Sequence, residues 1–176
     1  MSINGTRSAL LVTRKTRYNI DMTLGFTGHQ KVPDSVFAYT AAEIEHYIEL
    51  NNDVLGVCNF AAGSDQLFAS KIIESGNKLI AIIPCRDYES TFNDKTLVSY
   101  KKLLSKADEI IVLDFDKPTE EAFYAAGKCV ADLCDKLIAV WDGKPSKGLG
   151  GTADVVKYAQ SLGKEVIKIW PEGIQR

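Results

Sequence analysis

The run Lys147-Gly148-Leu149-Gly150-Gly151-Thr152-Ala153-Asp154 lies between an apolar, strand-like segment and an amphipathic, helix-like one. Glycines let a backbone turn tightly and approach an anion closely, and the open N–H groups of the helix that follows supply donors, helped by its dipole. Thr152 adds a hydroxyl at the helix cap. The chemistry these residues suit is the holding of a phosphate by Gly148, Leu149, Gly150, Gly151 and Thr152; the bland alternative is a turn without a ligand.

Other groups recur at corresponding places. Thr27, Gly28, His29 and Gln30 follow an apolar segment. They do not form GxGxxG, which disfavours a nicotinamide dehydrogenase. His29 is a candidate ligand donor or proton shuttle. Ala61-Ala62-Gly63-Ser64-Asp65 is a second small-residue turn, where Gly63 permits close backbone approach and Ser64 or Asp65 can cap a helix. Arg86, with Asp87, Tyr88, Thr91 and Phe92, extends a third loop into a lid-like segment carrying a guanidinium and an aromatic ring. Asp142 and Asp154 bracket the glycine run, and the natural partner of a carboxylate beside a phosphate is a sugar hydroxyl. Asp154 also suits the first turn of any helix. Neither GxxxxGK[ST], GxSxG nor HExxH occurs, and the four cysteines have no metal-ligand spacing, so no metal and no cofactor is expected. Cys58, Cys129 and Cys134 read as core residues; Cys85, after Pro84 at a strand end, has room to be exposed.

These groups need a frame. From Met22 onward, short apolar segments alternate with amphipathic ones of helical length, the pattern of a parallel sheet covered on both faces. Strands are expected over Met22–Phe26, Val54–Phe60, Lys78–Ile83, Glu109–Asp114, Lys136–Trp141 and Glu165–Trp170. Helices are expected over Asp34–Leu50, Asp65–Glu74, Lys95–Lys106, Pro118–Cys134 and Thr152–Leu162, the fourth capped by Asp116. Apolar faces are expected at Phe37, Ala41, Ile44 and Ile48 in the first helix and at Ala122, Ala125, Cys129 and Leu133 in the fourth. The fold class is α/β: a Rossmann-like, doubly wound, mostly parallel sheet of about six strands with helices on both faces. Helix-to-strand turns are minimal, whereas strand-to-helix loops are long and chemically loaded. In a parallel sheet the latter all emerge at the carboxyl edge, where open α/β folds bind ligands.

Size and charge bound the rest. The 176 residues suit one domain, 21–173, preceded by an arm over 1–20 that is either loosely packed or, at Ser8 to Thr13, a short edge strand. Lys+Arg 21 against Asp+Glu 23 leaves a formal charge of -2. Nothing in that balance advertises nucleic acid or a membrane, so neither is expected as a partner; a cytoplasmic location is, and self-association stays open.

With those residues in view, the segment from Gly25 to Gly173 resembles the SLOG superfamily. That group takes in LOG cytokinin-activating phosphoribohydrolases, DprA-like DNA-processing proteins and sensor modules for nucleotide-derived signals. The resemblance rests on Thr27-Gly28-His29, on Ala61 to Asp65 and on Gly148 to Thr152. It implies a Rossmann-like sheet with a pocket for a nucleotide, nucleotide sugar or related ligand. The hydrolytic branch carries PGGxGTxxE, and aligning Gly151-Thr152 on its Gly-Thr puts Val155 where its glutamate stands; Ala126-Gly127 fall where it has Arg-Lys. Asp154 is one residue off, about 100° around a helix. The expected function is therefore binding of a small nucleotide-derived ligand. The alternative is an N-glycosidase or phosphoribohydrolase-like enzyme using Asp154, Asp65 or His29 as acid-base groups.

Overall fold

The computed structural model describes residues 13–51 and 53–175. A helical stretch, α1, covers residues 13–18. Then follow β1 (Met22–Gly28), α2 (Asp34–Glu49), β2 (Val54–Cys58), α3 (Ser64–Glu74), β3 (Lys78–Ile83), a 3-10 turn over Tyr88–Thr91, α4 (Asp94–Leu104), β4 (Glu109–Val112), α5 (Glu120–Leu133), β5 (Lys136–Val140), α6 (Thr152–Ser161) and β6 (Glu165–Ile169). The six strands form one sheet in the order β4-β3-β2-β1-β5-β6, and every pairing is parallel. The winding reverses between β1 and β5, which opens a crevice at their carboxyl ends.

The sheet separates two cores. Leu24, Phe26, Cys58, Ala81 and Ile138 face one layer, covered by Ile44 and Ile48 of α2, Phe68 and Ile72 of α3 and Tyr100 of α4. Leu55, Val57, Ile80, Leu137 and Ala139 face the other, under Val130 of α5, Val155 and Ala159 of α6, and Ile20 beyond α1. Alternation along each strand sends successive side chains to opposite layers, and near-continuous apolar runs such as Leu79–Ile83 satisfy both. The edge strands β4 and β6 are less buried.

Two helix faces and one helix cap are corrected. In α2 the buried row is Val36, Thr40, Ile44 and Ile48, and Phe37 is 40% exposed. Two rows one residue apart share Ile44 and Ile48, and the hydroxyl of Thr40 made the true one read as polar. In α5 the buried row is Ala122, Ala126, Val130 and Leu133, with Cys129 only partly covered. That helix starts at Glu120 behind Thr119, whose side chain accepts from Ala122 N at 3.3 Å; Asp116 instead pairs with Arg86. The arm expected over 1–20 is described only from residue 13: Tyr18 and Ile20 pack against the second core and Arg14 bonds Glu109 at 2.6 Å. A strand over Ser8 to Thr13 falls almost wholly outside the described residues. No described helix is long and apolar enough to cross a membrane.

Candidate functional site

A cleft of about 420 Å³ opens at the carboxyl edge. Thr27, Gly28, His29 and Gln30 enter it from the end of β1, Asn59, Ala61, Ala62 and Asp65 from β2 and the start of α3, and Lys147 to Thr152 from the loop after β5. Pro84, Tyr88, Thr91 and Phe92 line it from the β3 loop, and Glu120 and Phe123 from the first turn of α5. One wall is therefore backbone and small residues, and the other is aromatic. Tyr88 packs edge-on against Phe92 and Tyr100 at 5.0 and 5.8 Å between ring centres, which fixes that wall.

The glycine run is built for close approach. Gly150 has φ +84, and a Cβ there would lie 2.7 Å from Tyr124 N and 3.0 Å from Glu120 O, so only glycine lets the loop lie on α5. Two of its N–H groups are already occupied: Leu149 N donates to Glu120 at 3.2 Å and Gly150 N to Asp154 at 3.0 Å. The expectation that the whole run holds phosphate narrows accordingly. The N–H groups of Gly151, Thr152 and Ala153, at the start of α6, carry no intramolecular hydrogen bond among the described residues. Asp154 caps its own loop and does not reach the cleft. Lys31 and Lys147, far apart in sequence, meet beside Gly151 and Thr152 in an adjoining depression of about 380 Å³ that also takes in His29, Gln30 and Ser146.

His29 joins the two halves. Its N–H donates to Val140 O at 3.1 Å, and its carbonyl accepts from Ser64 Oγ at 2.8 Å. The nearer of its ring contacts puts Nε2 3.1 Å from Asp142 Oδ1, and Nδ1 faces Thr152 Oγ1 at 3.5 Å. The backbone N–H of Asp142 also approaches Nε2, at 3.5 Å, so Asp142 holds that nitrogen from both its carboxylate and its main chain, and Nδ1 is left to the Thr152 hydroxyl. Asp142, expected at a sugar hydroxyl, has a side chain only 3% exposed and orients His29 instead.

Asp65 lies at the floor. It is buried, and accepts from Asn59 N at 3.2 Å. Burial pushes its carboxyl up to about 7, against the lowering effect of backbone N–H groups at Asn59, Ala61 and Gly28. Neighbouring Phe60 is buried at φ +58, a left-handed backbone that a bulky residue seldom adopts.

Several expected site residues sit elsewhere. Gly63, at φ +87, faces the carbonyl of Gln30 with no room for a Cβ, so its close approach is loop to loop, and Ser64 holds the same loop through His29. Arg86 is not a lid: its backbone N–H bonds Phe115 O at 2.9 Å, which turns the exposed guanidinium onto Asp114 and Asp116 at 2.6 and 2.7 Å, away from the cleft. Cys85 is fully buried, not exposed. Val155 is core, and a Cβ on Gly127 would collide with it, so α5 and α6 close together where the hydrolase pattern has charged groups. Asn59, Glu120, Phe123 and Lys31 had no signal in the sequence: an acid in the first turn of a helix looks like ordinary dipole compensation.

No family model matches the chain, and no curated protein does. Among solved structures it is similar to DNA processing protein A (DprA) of Streptococcus pneumoniae, with TM-score 0.68 and 17% identity over 90% of this chain and 53% of that one. DprA of Helicobacter pylori gives TM-score 0.65 at 17% identity, covering 87% of this chain and 67% of that one, in a structure titled for its single-stranded DNA binding mode. TM1055, a structural-genomics target, gives TM-score 0.56 at 15% identity over 82% and 72% of the two chains. The chain thus spans about half the length of the pneumococcal protein. The exclusion of nucleic acid drawn from overall charge is overturned, because a protein of this fold is described as binding single-stranded DNA. Net charge sums the whole surface and says nothing of a local site made of helix N–H groups and two converging lysines. At this level of identity the likeness establishes architecture alone: the chain has a Rossmann-like fold similar to that of DprA and TM1055.

Proposed function

We propose that the cleft binds a nucleotide-type ligand, with a phosphate at the start of α6 and a base against the aromatic wall. The observation that carries this reading is the pairing of unlike walls in one cleft. Open N–H groups at Gly151, Thr152 and Ala153 stand beside Lys31 and Lys147, and Tyr88, Phe92 and Phe123 stand opposite. A helix N-terminus with nearby cations suits phosphate, and flat rings suit a base. The cavity falls in the range of roughly 300–1,000 Å³ usual for small ligands. Thr152 Oγ1 and His29 Nδ1 add polar contacts at the phosphate end.

The test is calorimetric titration against nucleoside monophosphates, nucleotide sugars and a short single-stranded oligonucleotide. Binding that is lost in Gly151→Glu, with the fold intact, supports the reading. No binding by any probe sinks it, and binding of the oligonucleotide alone moves the ligand to nucleic acid. A second reading, cleavage of a nucleotide N-glycosidic bond, draws on the buried Asp65 carboxyl at about 7, a value suited to protonating a leaving base. Release of free base, followed by chromatography, separates the two.

A further inference from the structure

Three features of the cleft floor belong together. The Asp65 carboxyl accepts from the backbone at Asn59 and lines the cleft, and its neutral form carries an O–H that a ligand there can accept. The side-chain Oδ1 of Asn59, which also lines the cleft, is buried without a hydrogen-bond partner. Phe60, held at φ +58 between Asn59 and Ala61, is the kind of backbone outlier that persists where surrounding structure enforces it, and it turns both neighbours toward Asp65. Tyr88 of the aromatic wall lines the same cleft as Asn59 and Asp65.

We propose that Asp65, together with Asn59, reads the edge of a nucleobase that presents a ring-nitrogen acceptor beside an exocyclic amine. This rests on the nucleotide reading above and adds to it the class of base. A carboxylic acid offers one donor and one acceptor side by side and can pair with either order of them; Asn59 Oδ1, an acceptor, decides for an amine over a carbonyl. Adenine and cytosine carry that edge; hypoxanthine and uracil carry the reverse, a ring N–H beside a carbonyl. Ionised Asp65 is acceptor-only and faces the ring nitrogen of adenine or cytosine with a lone pair, so the preference fades as the carboxyl loses its proton.

The thiols and the phenol nearest Asp65 do not titrate between pH 6 and pH 8. Cys58 of β2, Cys85 at the end of β3 and Tyr88 are all pushed upward by burial and stay neutral through the physiological range. His29 at the end of β1, Glu120 of α5 and Lys147 line the same cleft, and His29 is engaged with Asp142.

The experiment measures affinities for adenosine, inosine, cytidine and uridine 5′-monophosphates between pH 6 and pH 8, for the natural chain and for Asp65→Asn. Comparing bases at each pH cancels the titration of the shared phosphate. For the natural chain the preference for adenosine over inosine, and for cytidine over uridine, is expected to fall about tenfold from pH 6 to pH 8, as the competent fraction of Asp65 falls. In Asp65→Asn, whose carboxamide keeps a donor and an acceptor at every pH, the preference is expected to hold constant. Equal binding of all four bases at pH 6 overturns the assignment to Asp65 and leaves nucleotide binding standing. So does an unchanged pH trend in the variant. Binding of none of the four by the folded chain overturns both readings together. The comparison in the natural chain needs no variant, so the proposal stays testable if Asp65→Asn does not fold.

Discussion

Replacing Asp65 by asparagine should favour the protein's stability more at high pH than at low pH. The group is buried and its carboxyl is raised from 3.8 to about 7 by loss of water. A carboxyl with a raised folded pKa binds its proton more tightly in the folded state. Its stabilising contribution is therefore complete below about pH 4 and is lost as pH rises through about 7. At 1.36 kcal/mol per pH unit, the full swing is about 4 kcal/mol, and about 3 kcal/mol of it falls between pH 5 and pH 8. Asparagine carries no charge to desolvate, but its NH₂ replaces one acceptor of the backbone N–H groups around it. That costs about 1–3 kcal/mol at every pH. The difference between variant and natural chain should thus move by about 3 kcal/mol in favour of the variant between pH 5 and pH 8, whatever its sign at either end. Every other titrating group is common to both chains and cancels. Urea unfolding at the two pH values measures it, and a thermal scan should show a relative shift of about 6–12 °C. A difference that is the same at pH 5 and pH 8 refutes the view that Asp65 is a desolvated carboxyl, and with it the acid-base and base-reading roles drawn from that view.

Further outcomes follow from the packing. Gly150→Ala puts a Cβ 2.7 Å from Tyr124 N in a left-handed backbone, so the glycine run should lift from α5; a cost of about 2–4 kcal/mol in urea unfolding, or more than tenfold weaker nucleotide binding, is expected. Gly127→Ala forces α5 off Val155 and should cost about 1–3 kcal/mol by the same assay, despite the better helix propensity of alanine. With an aromatic disulfide reagent under native conditions, Cys129 should react first, because Cys58, Cys85 and Cys134 are buried with thiols pushed upward. Rapid labelling of Cys85 would contradict its burial. Arg86→Ala should leave ligand binding unchanged and remove only exposed ion pairs to Asp114 and Asp116, worth under about 1 kcal/mol each.

The alternation of apolar and amphipathic segments carried the fold because it follows from burial alone. A strand covered on both faces has to be apolar throughout, as Leu79–Ile83 is, and a helix covering it has to be apolar on one side. Strand ends came within two residues for the same reason. The glycine run, Thr27 to Gln30 and Ala61, Ala62 and Asp65 were legible because small residues in strand-to-helix loops are local requirements of the backbone, and all of these line the cleft. Side-chain destinations were less legible. Which of two adjacent helical rows faces the sheet depends on how α2 and α5 are rotated against their neighbours, and Thr40 and Ala125 misled on that point.

What the chain alone determined is the parallel, doubly wound frame and the collection of polar loops on one edge, since periodicity and loop length are properties of contiguous residues. What only the tertiary structure decided is which groups meet there. Asp142 turns to His29, Asp154 caps its own glycine loop, Arg86 leaves for Asp114 and Asp116, and Lys31 and Lys147 line one depression. Glu120 and Phe123 come to the cleft from a helix that gave no sign of it. Asp65 was visible as a residue, but its raised carboxyl was not, because desolvation depends on the surrounding chains that exclude water.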